Sequence, residues 1–365
     1  MSSPTRQRLA PDVFRLPVER IRGGYYSDAY FTHAKALLEA EDHRPRVLMQ
    51  VFQRERAVLG GIDEAIALLR ECSGHVGADG AWVDAWPELE VRALHEGDPI
   101  DPWETVMTIE GDYTRFAHLE TVYLGCLARR TLVMRNVSAV VEAARGKPIL
   151  YFPARHDHWL VQTGDGWAAH VAGAIGVSTD AQASWWGGRG VGTVPHALIA
   201  AYAGDTARAA AAFAKRFAAS MNVTVLVDYV NDSVRTALEV ADALGPDLWG
   251  VRLDTSGTIA DEGLVRRHGL DEAPKGVVPE LVHVVREALD GAGHEHVRIV
   301  VSGGFDEARI REFEAAGVPV DAYGVGSALI RGKNDFTADI VLNEGRPCAK
   351  VGRELRPNER LELVE

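Results

Sequence analysis

Two kinds of hydrophobic pattern divide the chain. In the first third, apolar and polar positions alternate: residues 46–53 (RVLMQVFQ) predict a strand. Residues 88–95 (ELEVRALH) and 103–110 (WETVMTIE) predict two more around EGDPIDP, whose Asp-Pro steps are turn signals. Residues 60–73 carry an apolar stripe at helical spacing. After Gly111 the pattern changes. Residues 113–131 and 132–145 predict two helices, followed by short, continuously apolar strands at 149–152, 223–230, 248–254, 297–304 and 320–326. Helices are expected between them at about 201–220, 231–244, 278–291 and 306–316. Apolar strands alternating with helices imply a parallel sheet buried on both faces. The expected architecture is an N-terminal antiparallel α+β sandwich domain over 1–112 and an α/β barrel, TIM-like and possibly incomplete, over 113–334. Residues 335–365 alternate and turn again, which suggests a return to the first domain.

Composition narrows the function. The 365 residues are 47% hydrophobic and 25% charged, as in an ordinary globular enzyme. A net charge of −13 argues against a broad basic face for nucleic acid, but leaves room for a local anion pocket. No apolar run is long enough to span a bilayer, and MSSPTRQRLAPDVFRL lacks the apolar middle of a secretory signal. Cys72, Cys126 and Cys348 are far apart and form no CxxC pair. A disulfide framework and a cysteine zinc site are therefore not expected, and a reducing cytoplasm is the default location. No resident metal site is expected among the histidines; HDH at 156–158 has the wrong spacing for a helix face.

Candidate chemistry gathers at the ends of the later strands. VSGG at 301–304 and GVGS at 324–327 each follow an apolar run. The amides of Gly303, Gly304, Gly324 and Gly326, with the Ser327 hydroxyl, would suit a phosphate at two successive strand ends. Read alone, each is better explained as a tight turn; the two in succession favour phosphate. In VRLDTSG, Arg252 and Asp254 fall on one face of a strand. That pair would bind a phosphorylated sugar or form a structural ion pair; Asp228 in LVDYVND has the same two readings. His196 sits in GRGVGTVPHALIAAY, where glycines and a proline make an irregular loop before a helix. It is a candidate nucleophile or phosphate contact, against the commoner role of a packing histidine. Phe152 and Arg155 in FPAR could sandwich and neutralise a planar aromatic acid, or be simply a core ring and a surface cation.

Taken in order, these motifs resemble the nicotinate phosphoribosyltransferase family of type II phosphoribosyltransferases. The likeness runs from GGYYSDAYF at 23–31 through EGDPIDPWETVMTIEG, HLETVYLGCLARRT, FPAR, GAIGVSTDA, GTVPHAL, TVLVDYVND, GVRLDTSG, IVVSGGFD and YGVGSALI to GRPCAKVGR. It implies nicotinate and phosphoribosyl pyrophosphate as substrates, magnesium bound to the substrate, and ATP as co-substrate. It also implies a homodimer or higher homo-oligomer with shared active sites. In it Tyr30 stacks on the pyridine ring from the neighbouring subunit and Asp28 shapes the same edge. Phe152 covers the other face, and Arg155 meets a carboxylate or phosphate. His196 matches a histidine phosphorylated by ATP. Asp228, Arg252 and Asp254 surround ribose and base, and the four glycines cradle the phosphate. Ser178 stands where the related nicotinamide enzymes place an Asp, which favours an acid over an amide; Asp180 is two residues away. Two departures are His156 for a second Arg, and DTSGT, which lacks an acid after Gly257. Three rival readings remain: quinolinate or nicotinamide as substrate, a Schiff-base aldolase, and a non-catalytic nucleotide-binding relative.

Overall fold

The computed structural model describes residues 7–365. It resolves two compact units, one of the described residues through Arg135 with Gly332–Glu365 and the other of Asn136–Arg331. The division thus falls at 135/136 rather than 112/113. The segment 113–135 packs into the first unit's core through Phe116, Leu119, Tyr123 and Leu127.

The first unit is built on an antiparallel sheet of β1 (Arg46–Phe52), β2 (Glu90–Ala93), β3 (Thr105–Asp112) and, from the C-terminal part of the chain, β10 (Thr337–Asn343), β11 (Arg346–Pro347) and β12 (Glu362–Leu363). The spatial order is β11-β10-β1-β3-β2-β12. Met49 opposes Ile109 and Val51 opposes Met107, so alternate side chains reach one buried face. Helix Ile62–Cys72 covers it. A Cβ on Gly60 would lie 2.8 Å from the Arg130 backbone, which shows how closely the start of this helix meets helix Glu120–Ala143. The alternation of β1 predicts a solvated second face, yet Gln50 is buried. Its Nε2 donates to the Glu354 carbonyl at 2.8 Å and its Oε1 accepts from the Arg356 amide at 3.0 Å, so the C-terminal segment lies over that face.

Helix Glu120–Ala143 is one element of 24 residues where the sequence reading expects two, because neither glycine nor proline interrupts it after Gly125. Residues 113–119 form 3-10 turns instead of its first turns. The helix Ala29–Ala40 has no counterpart in the sequence reading; it buries no residue fully and so shows no apolar stripe.

The second unit is a parallel barrel of β4 (Ile149–Tyr151), β5 (Gly176–Val177), β6 (Val223–Leu226), β7 (Leu248–Leu253), β8 (Arg298–Val301) and β9 (Ala322–Val325). The strands run in the order β6-β7-β8-β9-β4-β5. The segment Val191–Val194 fills the gap between the two edges. The Val191 amide donates to the Val177 carbonyl at 2.7 Å, and the Val194 amide to the Thr224 carbonyl at 2.8 Å, with Val194 bridging Val225 in parallel. The ring is closed by this irregular stave. Its Gly192, with Gly190 and Pro195 on either side of it, explains why no strand is legible there. The helix expected at 201–220 is Thr206–Phe217, set apart from the short helix His196–Ala201 where Ala203 and Gly204 both take positive φ.

Candidate active site

All barrel strands are parallel, so their C-terminal ends share one mouth. Arg252 and Asp254 lie at the end of β7, and their side chains stand side by side there. Arg252 Nη2 is 3.4 Å from Asp254 Oδ2, and Nη1 is 3.4 Å from Thr193 Oγ1 on the closing stave. The shorter contacts run through Ser302, at the end of β8. Its Oγ accepts from Arg252 Nε at 2.7 Å and donates to Asp254 Oδ1 at 2.7 Å. Burial lowers the pKa of the Arg252 guanidinium, opposed by Asp254 and Asp228 and reinforced by the Arg155 charge.

Phe152 follows β4, its amide held by the Val325 carbonyl at 2.8 Å. Arg252 Cζ lies 5.1 Å from the centre of this ring. The cation beside Phe152 is therefore Arg252, whereas the sequence reading places Arg155 there. Arg155 is exposed on the 3-10 turn Pro153–His156. Gly324 lies within β9, buried beneath the ring: a Cβ there would come within 2.7 Å of Phe152 Cε2. Its missing side chain makes room for Phe152, rather than turning an amide toward a ligand.

Gly303 and Gly304 have φ of 86° and 81°, conformations that glycine adopts freely. A Cβ on Gly303 would lie 3.2 Å from Asp254 Oδ1. The Gly303 carbonyl accepts from Arg309 Nη1 at 3.0 Å. Among the described residues, no protein acceptor takes the Gly303 or Gly304 amide. The helix Glu307–Ala315 that follows is capped by Asp306, whose Oδ1 accepts from the Arg309 amide at 3.0 Å. The unpaired amides at this strand end are thus those of the glycine turn, while the helix terminus is capped. Gly326 lies at the end of β9 under His156, whose Nε2 would be 3.2 Å from a Cβ there. Ser327 begins a 3-10 turn, and its Oγ accepts from Arg331 Nη2 at 3.3 Å.

His196 starts its helix at the end of the closing stave. Its Nε2 is 2.8 Å from Asp228 Oδ1, after β6. Burial raises the pKa of Asp228, and the contact with His196 opposes the shift. Asp228 is largely buried and His196 half-exposed. The pair presents the imidazole's other nitrogen outward.

Ser178 follows β5. Its amide and hydroxyl both donate to Gln182 Oε1, at 3.0 and 3.1 Å. Gln182 is buried and belongs to a capping box with Thr179. Asp180 is turned away, accepting from the Gly190 amide at 2.8 Å. Asp28 and Tyr30 belong to the first unit. Asp28 Oδ2 accepts from Thr121 Oγ1 at 2.9 Å and from the Tyr30 hydroxyl at 3.4 Å, and the Tyr30 ring is 63% exposed. Ser302 and Thr193 are the site residues that sequence reasoning missed. Each lies beside a motif already singled out, but a lone hydroxyl carries no pattern of its own.

Among the described residues, no group of three or more His, Cys, Asp or Glu is arranged to hold a metal ion, and no helix is long and apolar enough to cross a membrane.

Comparison with known proteins adds to this geometry. Residues 28–131 match the family model described as the N-terminal domain of quinolinate phosphoribosyl transferase. The chain is 31% identical over 270 residues to nicotinate phosphoribosyltransferase pncB1 of Mycobacterium tuberculosis, covering 72% of this chain and 55% of that one. It is 25% identical over 246 residues to nicotinate phosphoribosyltransferase of Bacillus subtilis, covering 65% and 45%. It thus spans about half the length of the curated relatives it matches. The crystal structure of nicotinate-nucleotide pyrophosphorylase from Pyrococcus furiosus superposes with a TM-score of 0.79 at 32% identity, covering 96% of this chain and 85% of that one. Human nicotinic acid phosphoribosyltransferase shares the fold, with a TM-score of 0.64 at 19% identity over 88% and 76% of the two chains.

Proposed function

The chain belongs to the type II phosphoribosyltransferases, and on that premise we propose that it joins nicotinate to phosphoribosyl pyrophosphate, giving nicotinate mononucleotide and pyrophosphate. The observation that carries this reading is the mouth of the barrel. A hydrogen-bonded Arg252–Ser302–Asp254 cluster stands beside an aromatic ring and two unpaired glycine amides.

The Gly303 and Gly304 amides, with those at Gly326 and Ser327, receive the 5′-phosphate. Asp254 accepts from the ribose hydroxyls. The pyridine ring lies against Phe152, and its carboxylate meets the positive charge of Arg252 and Arg155. The pyridine nitrogen then bonds to the anomeric carbon as the carbon–oxygen bond to pyrophosphate breaks, and the electron pair leaves with pyrophosphate. No protein nucleophile is needed; positioning and charge stabilisation lower the barrier. Asp228 and Asp254, committed to His196 and Ser302, suit contact with a magnesium ion carried by the pyrophosphate, whose chemistry there is to neutralise the leaving charge.

Ser178 bears no charge to repel a carboxylate, as an Asp in its place would. Its hydroxyl is held by Gln182, so its contribution is neutrality rather than a free donor. For ATP coupling, Asp228 holds a proton on His196 Nε2 and leaves Nδ1 as the nucleophile that bonds to the γ-phosphorus of ATP as the bond from that phosphorus to the bridging oxygen breaks and ADP leaves with the electron pair. We also read the exposed Tyr30 and Asp28 as contributed by a second copy of the chain to a shared site.

The quinolinate reading is favoured by the matched N-terminal family model and by the Pyrococcus furiosus structure's name. One experiment separates the readings: product formation with nicotinate, nicotinamide and quinolinate, each with and without ATP. Nicotinate turnover well above the other two is expected. Turnover of quinolinate alone, or binding of phosphoribosyl pyrophosphate without turnover of any base, would reject the proposal.

A further inference from the structure

The Arg252–Asp254 contact at 3.4 Å is long for a charge-assisted pair. Both partners instead bond tightly to one hydroxyl, Ser302 Oγ, at 2.7 Å each. A serine hydroxyl has one proton and two lone pairs. Here the proton faces a choice between Asp254 Oδ1 at 2.7 Å and the Leu253 carbonyl at 3.2 Å. The shorter, charged acceptor takes it, leaving a lone pair for the Arg252 Nε–H. That arrangement uses one edge of each ionic group. It leaves the guanidinium's outer nitrogens and the second carboxylate oxygen, Asp254 Oδ2, in long contacts only, Nη2 with Oδ2 and Nη1 with Thr193 Oγ1, each at 3.4 Å.

The hydroxyl is not needed to hold the backbone in place. The Ser302 amide already donates to the Leu253 carbonyl at 2.9 Å, and β7 and β8 pair in register up to Leu253 and Val301. The surroundings are fitted to the same arrangement. Ser302 is 2% exposed. Its Cβ would be 3.4 Å from a Cβ on Gly324, and the next residue, Gly303, leaves clear the space beside Asp254 Oδ1.

We propose that Ser302 is the positioning residue of the site: by accepting from Arg252 and donating to Asp254 it fixes both in the orientation that meets the ribose and the base. This rests on the phosphoribosyl-transfer reading above. The hydroxyl touches no reacting atom and acts through the two charged side chains.

The test is steady-state turnover of the full chain with nicotinate and phosphoribosyl pyrophosphate, in Ser302→Ala, Ser302→Cys and Ser302→Thr. Wild-type turnover settles the underlying reading independently: if the wild type is inactive with every base, that reading has failed, whatever Ser302 does. Given an active wild type, Ser302→Ala should lower kcat about ten- to a hundredfold, the usual cost of losing an orienting neighbour. KM for nicotinate should stay within about twofold, since Phe152 and the net charge are unchanged. If the alanine variant does not fold, Ser302→Cys, close in size but a poor donor, carries the same expectation. Ser302→Thr, which keeps the hydroxyl, should recover most of kcat. In an Asp254→Asn background, Ser302→Ala should cost much less than in the wild type, because the two act as a unit. A folded Ser302→Ala or Ser302→Cys enzyme with wild-type kcat, or losses that multiply independently in the double variant, would overturn the proposal.

Discussion

A single hydrogen bond decides the chemistry open to His196. Because Asp228 engages Nε2 at 2.8 Å, the tautomer is set from within the barrel and Nδ1 is left to solvent and ligand. His196→Ala should abolish acid-labile phosphate on the protein after incubation with labelled ATP, while leaving slow direct transfer. No label on the wild-type protein would remove ATP coupling. Arg155 is argued from charge alone, since it is exposed and its field reaches Arg252. Arg155→Ala should raise KM for nicotinate about tenfold with an unchanged melting temperature. An unchanged KM would remove its role. At Gly303, φ of 86° and 3.2 Å of clearance to Asp254 Oδ1 both oppose a side chain. Gly303→Ala should cost about 1–2 kcal/mol of stability and disturb Asp254 as well; chemical denaturation and kcat together check it. The charged residues of the mouth were legible, since Arg252 and Asp254 alternate along a strand. The glycines were only partly so. Gly303 and Gly304 do offer free amides, but Gly324 serves packing, and a sequence cannot say whether a glycine yields space to a ligand or to a phenylalanine.

Elements were legible wherever one hydrophobic period ran long enough. Five of the six barrel strands, all but Gly176–Val177, and helices such as Ser233–Leu244 and Pro279–Gly291 lie within a few residues of their expected places. The closing stave was not, because pairing with its neighbours, not side-chain pattern, makes it part of the wall. The long helix is divided at 131/132 in the sequence reading, although neither glycine nor proline interrupts it there. Contact between elements also fixes the surroundings of Ser178. Helix Gln162–Val171 meets the short helix Asp180–Ala183 so closely that a Cβ on Gly166 would lie 2.2 Å from the Gln182 carbonyl oxygen. Gly166→Ala should therefore push Gln182 and, through it, Ser178. A loss of about 3 kcal/mol is expected, with weakened preference for acid over amide in the surviving activity. Unchanged stability would show that the two helices separate freely.

For the molecule as a whole, buried titratable groups in the first unit set how stability follows pH. The Glu120 carboxyl is pushed up to about 8 by burial, with Asp339 and Asp28 adding to the shift. Burial and Asp63 raise Glu96 in the same direction. Between the ordinary carboxylate range and pH 8 the folded chain keeps a proton that the unfolded chain has released, so stability falls as pH rises. His118 works oppositely: burial lowers it to about 4, so its contribution is lost as pH falls through the range between 6.5 and 4. The two trends offset each other at mildly acid pH; above about 6.5 only the carboxyls act. The melting temperature should drop by roughly 5 °C or more from pH 6.5 to pH 9, and Glu120→Gln should flatten that slope. A flat wild-type profile would mean that these carboxyls are hydrated.

The wall of the barrel has a seam. Where Val191–Val194 is stitched to Val177 and Thr224, a few backbone hydrogen bonds on either side of Gly192 replace the continuous pairing that joins the other staves. Thr193 lies on that seam and His196 at its end. Loosening it would unhook the imidazole from Asp228 and the threonine from Arg252 in one movement, leaving the glycine turn undisturbed. Amide exchange should run fastest at Val191 and Val194 and slowest at Val251 and Ile299, so the histidine rides on the most easily parted edge of an otherwise rigid cylinder.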